Sequence, residues 1–219
     1  MTHKTISFLL FFIGISTITF AQDNKAKIFL DEVSSTMAAY KNIQINFSSV
    51  LTNEEAGIKE GDEPPMIGKI TLEGEKYNLD FIGNSFIFDG KKLYVINHDE
   101  KEISINDGDM DESDGFIYPS KLFTFYKEGY NFKFEKKQTL NGKEIQFVEL
   151  TPIDSDSEIV KVELGIETKT KHIYQLIQTG ANSAKTTITI TLLKSNVTLP
   201  KNTFVFNKKE YLKKEYSID

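Results

Sequence analysis

Few side chains in this 219-residue chain have types and spacing suited to chemistry. Asp107, Asp109, Asp111 and Asp114 alternate like the first ligands of a calcium-binding loop. The pattern then departs from that motif. Glu112 stands where the loop needs glycine, and Tyr118 where the bidentate glutamate belongs. The stretch therefore reads as a solvated acidic loop. His98 falls in a polar turn and His172 at a strand start, with no metal-ligand spacing between them, and both read as exposed. Around Ser85 the order is Gly83-Asn84-Ser85-Phe86-Ile87, which lacks the second glycine of a nucleophile elbow. There is no cysteine, so disulfides, zinc-thiolate sites and thiol nucleophiles are excluded. No phosphate-cradling glycine loop or dinucleotide fingerprint occurs. Carboxylates are abundant, but abundance alone does not single out a glycosidase pair. The residues give no positive argument for catalysis, for a metal or for a cofactor.

The elements that would position a binding site are clearer. The stretch from Ile67 to Ile105 reads as a meander of four short strands. Gly68–Leu72 and Lys76–Phe81 come first, Phe86–Phe88 and Leu93–Ile96 count as two halves of the third about the Asp89-Gly90-Lys91 turn, and Glu102–Ile105 is the fourth. Asp-Gly between apolar runs is a hairpin signal, because glycine tolerates the positive φ of a type I′ turn. Tyr77, Leu79 and Phe81 share one face of their strand, since side chains alternate with period two. Upstream, Ala26, Phe29, Leu30, Val33, Met37 and Tyr40 recur at helical spacing, which predicts an amphipathic helix over 24–40. Asn42–Leu51 switches to period two, with Ile43, Ile45 and Phe47 on one side. Glu54–Pro65 and Asn106–Gly115 read as loops. Pro119–Lys127 reads as a short helix, with proline early and Gly129 just past its end. Tyr130–Lys137 and Ile145–Leu150 form a hairpin across Asn141-Gly142. Ile159–Ile166, His172–Thr179 and Lys185–Leu193 continue the sheet. Thr203–Phe206 reads as a short last strand and Lys208–Asp219 as a polar tail.

Roughly ten antiparallel strands with two helices imply a mainly β, α+β protein. The predicted architecture is an unclosed antiparallel β half-barrel, covered by the N-terminal amphipathic helix and a short inserted helix. His3 and Lys4, an apolar run over Ile6–Ile18 and Thr19-Phe20-Ala21 read as a cleavable signal peptide, residues 1–21. The run is short of the ~20 apolar residues of a membrane span. Residues 22–219 then form one domain without stable membrane insertion, and a cysteine-free mature N-terminus cannot be lipidated. Periplasmic export follows. The chain carries a net charge of −6, one unit more acidic once Lys4 leaves. That balance argues against nucleic acid and against anionic lipid surfaces. Every basic residue is lysine. The aromatic faces allow two readings, an ordinary filled core or a hollow one that takes a greasy ligand, and composition does not separate them.

Several stretches stand out together: the opening helix followed by Ile43-Gln44-Ile45-Asn46-Phe47, then Gly68-Lys69-Ile70-Thr71-Leu72, Lys76-Tyr77-Asn78-Leu79 and Asp89-Gly90-Lys91 with Leu93-Tyr94. Leu150-Thr151-Pro152 and Asn202-Thr203-Phe204-Val205-Phe206 complete the set. In this order and spacing they resemble the LolA-type periplasmic carriers of lipoproteins. The resemblance runs from about Ala26 to Phe206. It implies a half-barrel with a helical lid over an apolar cavity, acting as a monomer without cofactor or catalysis. The partners implied are acylated lipoproteins, an inner-membrane lipoprotein-releasing transporter and an outer-membrane acceptor. Tyr77 and Leu79 match the family's cavity-facing pair. Phe81, Phe86 and Phe88 extend the acyl-chain wall, and Phe29, Val33 and Met37 form the lid face. Proteobacterial members place an arginine before the strand that holds Tyr77. This chain has Glu73-Gly74-Glu75-Lys76 there, and lysine lacks arginine's rigid fork, so that latch is not carried over.

Two other uses of the scaffold are consistent with the residues. A periplasmic sensor or regulator of lipid or lipoprotein would share the half-barrel, and a further C-terminal domain would mark it. The chain ends soon after Phe206, which favours the carrier. A secreted all-β hydrolase is the third reading, and no site supports it.

Overall fold

A computed structural model describes residues 17–110 and 119–219. The signal-peptide reading falls mostly on residues 1–16, outside the described residues, as do Asp111, Glu112, Asp114 and Tyr118 of the acidic loop.

The chain opens with α1 (Thr17–Ala38) and β1 (Ile43–Thr52). The meander follows as β2 (Met66–Glu73), β3 (Lys76–Phe81), β4 (Asn84–Phe88), β5 (Lys92–Asn97) and β6 (Glu102–Asp107). It has five strands rather than four, because the Asp89-Gly90 turn separates β4 from β5; Gly90 takes φ +95° there. The return half is β7 (Tyr130–Leu140), β8 (Lys143–Pro152), β9 (Ile159–Glu167), β10 (Ile173–Gly180) and β11 (Lys185–Ser195). The chain ends with α2 (Lys208–Lys213) and β12 (Ser217–Ile218). All twelve strands form one sheet, in the order β12-β6-β5-β4-β3-β2-β1-β11-β10-β9-β8-β7. β1 is central, paired antiparallel with both β2 and β11. β7 and β12 lie at opposite ends of the order, so the half-barrel is unclosed. Among the described residues no helix is long and apolar enough to cross a membrane.

Register explains the concave core. Ile43, Ile45 and Phe47 of β1 stand opposite Leu72, Ile70 and Gly68 of β2. Those residues stand in turn opposite Tyr77, Leu79 and Phe81. From the other half come Val148, Leu150, Val162, Leu164, Ile166, Ile173 and Leu176. Helix α1 lies on this face with Ala26, Leu30, Val33 and Met37 buried, four positions spaced so that they form one helical stripe. Just past its end the Asn42 side chain bonds both the amide and the carbonyl of Val197, at 2.9 and 3.0 Å. That clamp fixes where the helix hands over to β1.

Two expectations are corrected. Pro119–Lys127 is a pair of 3-10 turns, Pro119–Lys121 and Phe125–Lys127, rather than one short α-helix. Phe123, Thr124, Phe125 and Tyr126 are poor helix formers. Leu122, Phe123, Phe125 and Tyr126 all pack into the core cluster. Thr203–Phe206 is a turn rather than a last strand, closed by bonds from the Thr203 and Val205 amides to the Pro200 and Asn202 carbonyls. Both flanks of β1 are already occupied, and Phe206 instead stacks between Tyr94 and Tyr211, with centroids at 4.5 and 5.3 Å. The polar tail is likewise structured. Phe206, Tyr211, Tyr216 and Ile218 cover Ile87, Ile96 and Ile103 on the outer face, forming a second apolar cluster. β12 pairs parallel with β6.

Candidate functional site: a helix-covered concave face

β3 and β4 put all five residues of the expected acyl-chain wall on one face. Tyr77 stands opposite Phe88 and Leu79 opposite Phe86, while Phe81 ends the β3 row. Their depths differ. Tyr77 and Phe88 are buried, whereas Leu79, Phe81 and Phe86 are half-buried and pack against the main cluster. Val95, Ile188, Ile190 and Leu193 are half-buried neighbours of that cluster. Of the expected lid face, Val33 and Met37 are buried, and Phe29 packs on Phe134 of β7 with centroids 5.7 Å apart.

Tyr77 is a pin as well as a wall. Its hydroxyl donates to Asp109 at 2.6 Å, and the same carboxylate accepts from Ser120 Oγ at 2.5 Å and from the Met110 amide at 2.8 Å. Burial first, and then the Asp109 carboxylate, push the Tyr77 hydroxyl well above the ordinary tyrosine range. Asp109 thus ties β3 to the turns that cover the concave face. Asp107 pairs with Lys92 at 2.8 Å. The two described aspartates of the calcium-like pattern are therefore engaged elsewhere. Among the described residues no cluster of three or more His, Asp or Glu could hold a metal ion. Asp109→Ala leaves the buried Tyr77 hydroxyl without its acceptor, so we expect a loss of about 2 kcal/mol in denaturant unfolding. Tyr77→Phe together with Asp109→Ala restores part of that loss.

Polar contacts from two turns help hold α1, most of them from the turn between β9 and β10. Lys171 Nζ pairs with Glu32 at 2.7 Å and lies 4.3 Å from the Phe29 ring centroid. The next residue, His172, meets the Tyr40 hydroxyl through Nε2 at 2.9 Å. Tyr126 donates to the Leu30 carbonyl at 3.1 Å, and burial pushes its hydroxyl up to about 12. Reading both histidines as exposed is correct for His98 and wrong for His172, whose ring packs edge-on against Tyr40. Exposed ion pairs and cation–π contacts contribute about 0–1 kcal/mol each. The clasp is therefore weak and reversible beside the buried stripe.

His172 gives the clasp a pH dependence. Burial lowers its pKa below the ordinary value of 6.5, against the opposing pull of Glu167. The unfolded chain then takes up this proton before the folded one does. Its contribution is complete above pH 6.5 and is lost as pH falls below it. Thermal melts from pH 8 to 5.5 should show a falling Tm, and His172→Gln should flatten that slope.

Ser85 and His98 do meet, on the outer face. Ser85 Oγ donates to Asp80 at 2.6 Å and lies 2.7 Å from His98 Nε2, while His98 Nδ1 meets the Tyr216 hydroxyl at 2.9 Å. In a hydrolytic triad the acid holds the histidine, and the histidine accepts the serine proton. Here Asp80 takes that proton, so Nε2 donates to Ser85 and cannot serve as its base. The group fastens Tyr216 to the β4–β5 hairpin. Two surface concavities lie off the concave face. One, of about 520 Å³, runs along the outer side of α1 and is lined by Ile28, Asp31, Glu32, Ser35, Thr36 and Lys171. The other is a polar notch of about 310 Å³ beside Lys69, Asn78, Asp80 and Thr203.

The unclosed half-barrel with a helix across its concave face is the architecture the LolA resemblance implies. No protein-family model matches the sequence, and no curated protein matches it. Among solved structures, an uncharacterized conserved protein from Thermus thermophilus aligns with a TM-score of 0.59 at 9% identity, covering 89% of this chain and 98% of that one. A DUF1329 family protein from Desulfovibrio piger aligns with a TM-score of 0.50 at 8% identity, over 87% and 99%. These likenesses establish a shared fold and nothing of function. A putative outer membrane lipoprotein-sorting protein domain from Vibrio parahaemolyticus aligns at 14% identity over 86% and 99%, with a TM-score of 0.44.

Proposed function

We propose that this protein is a periplasmic carrier that hides the acyl chains of lipoproteins on its concave face between the inner and outer membranes. One observation carries the reading. A continuous apolar cluster joins half-buried Leu79, Phe81 and Phe86 to the buried stripe of α1, and the polar contacts that hold this helix are few: Lys171 and His172 from one turn and Tyr126 from another. Each buried methylene stabilises by ~0.8 kcal/mol, so one long acyl chain represents on the order of 10 kcal/mol. Spontaneous release of such a chain into water is negligible, and a carrier has to open at a partner. Displacing α1 exposes Leu30, Val33 and Met37 along with the wall, and an acyl chain that enters between helix and wall covers both apolar surfaces. The exchange then needs little net free energy beyond the clasp. An inner-membrane releasing transporter would load the protein and an outer-membrane acceptor would unload it.

The test is titration of the purified protein with a synthetic triacylated lipopeptide, followed by size-exclusion chromatography and hydrogen exchange. A stoichiometric complex with faster exchange along α1 supports the reading. Lipopeptide that remains in its own micelles, with α1 still protected, overturns it.

A further inference from the structure

The acidic total hides an opposite local balance. Between Lys201 and Lys214 the chain has five lysines against a single acid, Glu210, with Glu215 and Asp219 following, in a protein whose net charge is −6. All five lysines are exposed. Lys214 pairs with Glu210 at 2.8 Å, while Lys208, Lys209 and Lys213 have no ion-pair partner among the described residues. Tyr211 holds α2 to the sheet by stacking on Phe206. At about 100° per residue, Lys209 and Lys213 then point away from the sheet and Leu212 stands beside Lys208. Leu212 is 51% exposed and Val205, in the preceding turn, 57%.

We infer that α2 and the turn before it form a docking face for an anionic lipid surface. Unpaired ammonium groups on flexible stems suit a diffuse layer of phosphate headgroups, and isolated aliphatic tips among them enter the acyl boundary. Protein interfaces are depleted in lysine and need a packed apolar centre, which two separated aliphatics do not make. The face is firmly seated, through β12 on β6 and through the bond from Asn78 Nδ2 to the Thr203 carbonyl at 2.8 Å. It lies on the opposite side of the sheet from Leu79 and Phe86, so it stands whether or not the carrier reading holds.

The test is co-sedimentation of the protein with phosphatidylglycerol–phosphatidylcholine vesicles and with pure phosphatidylcholine vesicles, at low and high salt. The expected result is binding to the anionic vesicles alone, weakened by salt. Lys209→Gln with Lys213→Gln should weaken it roughly 25-fold, at ~fivefold per lysine. Both lysines are exposed, and circular dichroism confirms that the variant folds. Leu79→Glu should leave this binding unchanged, which separates it from lipid uptake on the concave face. No binding to anionic vesicles, binding that survives the double substitution, or binding lost only in Leu79→Glu would each overturn the inference. So would retention on an immobilised acidic peptide without vesicle binding.

Discussion

Gly68→Ala is expected to destabilise the folded protein by about 3 kcal/mol, a large effect for one added methyl. Gly68 stands between Phe47 and Phe81, whose ring centroids are 5.3 Å apart. A Cβ at this position would overlap the tip of the Phe47 ring at its Cζ. The ring has therefore to leave a buried site, or β1 and β2 have to separate. Phe47→Ala alone removes the ring at a cost of about 3–4 kcal/mol. In that background Gly68→Ala no longer meets the Phe47 ring and should cost nearly nothing, since alanine loses less backbone entropy than glycine in a strand. Urea unfolding of the four proteins should thus show the double variant about 3 kcal/mol more stable than additivity gives. Additive losses would mean that Phe47 does not fill the glycine's space.

Leu79→Glu should reduce lipopeptide affinity by at least ~1000-fold, because an unpaired carboxylate against an acyl chain costs several kcal/mol. The free protein should tolerate the change with a modest loss of stability, since Leu79 is only half-buried and its carboxylate retains some water. Leu192→Glu is the control. Leu192 lies on the other half of the molecule opposite Asn46 and is 42% exposed. It should bind lipopeptide like the unaltered chain. Equal loss in both variants would point to a general effect of added negative charge.

The concave face was legible because strand alternation and helical spacing are local. Tyr77, Leu79 and Phe81 alternate within β3, and Ala26, Leu30, Val33 and Met37 recur within α1, so both faces follow from short windows of sequence. The clasp was not legible. Glu32 and Lys171, or Tyr40 and His172, meet only once the sheet has wound from β1 round to β10, and no spacing announces such pairs. Asp109 shows a similar limit. Its neighbours read as a solvated acidic loop, whereas its partners are Tyr77 from β3 and Ser120 from the following turn. The C-terminal segment misled in another way. Its charged composition describes the solvent side of α2, while Phe206, Tyr211 and Tyr216 face the sheet at positions too sparse to register as a pattern. Net charge averaged over the chain hid the lysines of the same segment.

The carrier account is tested most directly by gentle capture of the tagged protein from its own host, with intact mass spectrometry of whatever co-elutes. The account predicts acylated lipoproteins in the eluate of the unaltered chain and their loss with Leu79→Glu. An empty protein in every preparation, or lipoproteins retained equally by the Leu79→Glu variant, would contradict it.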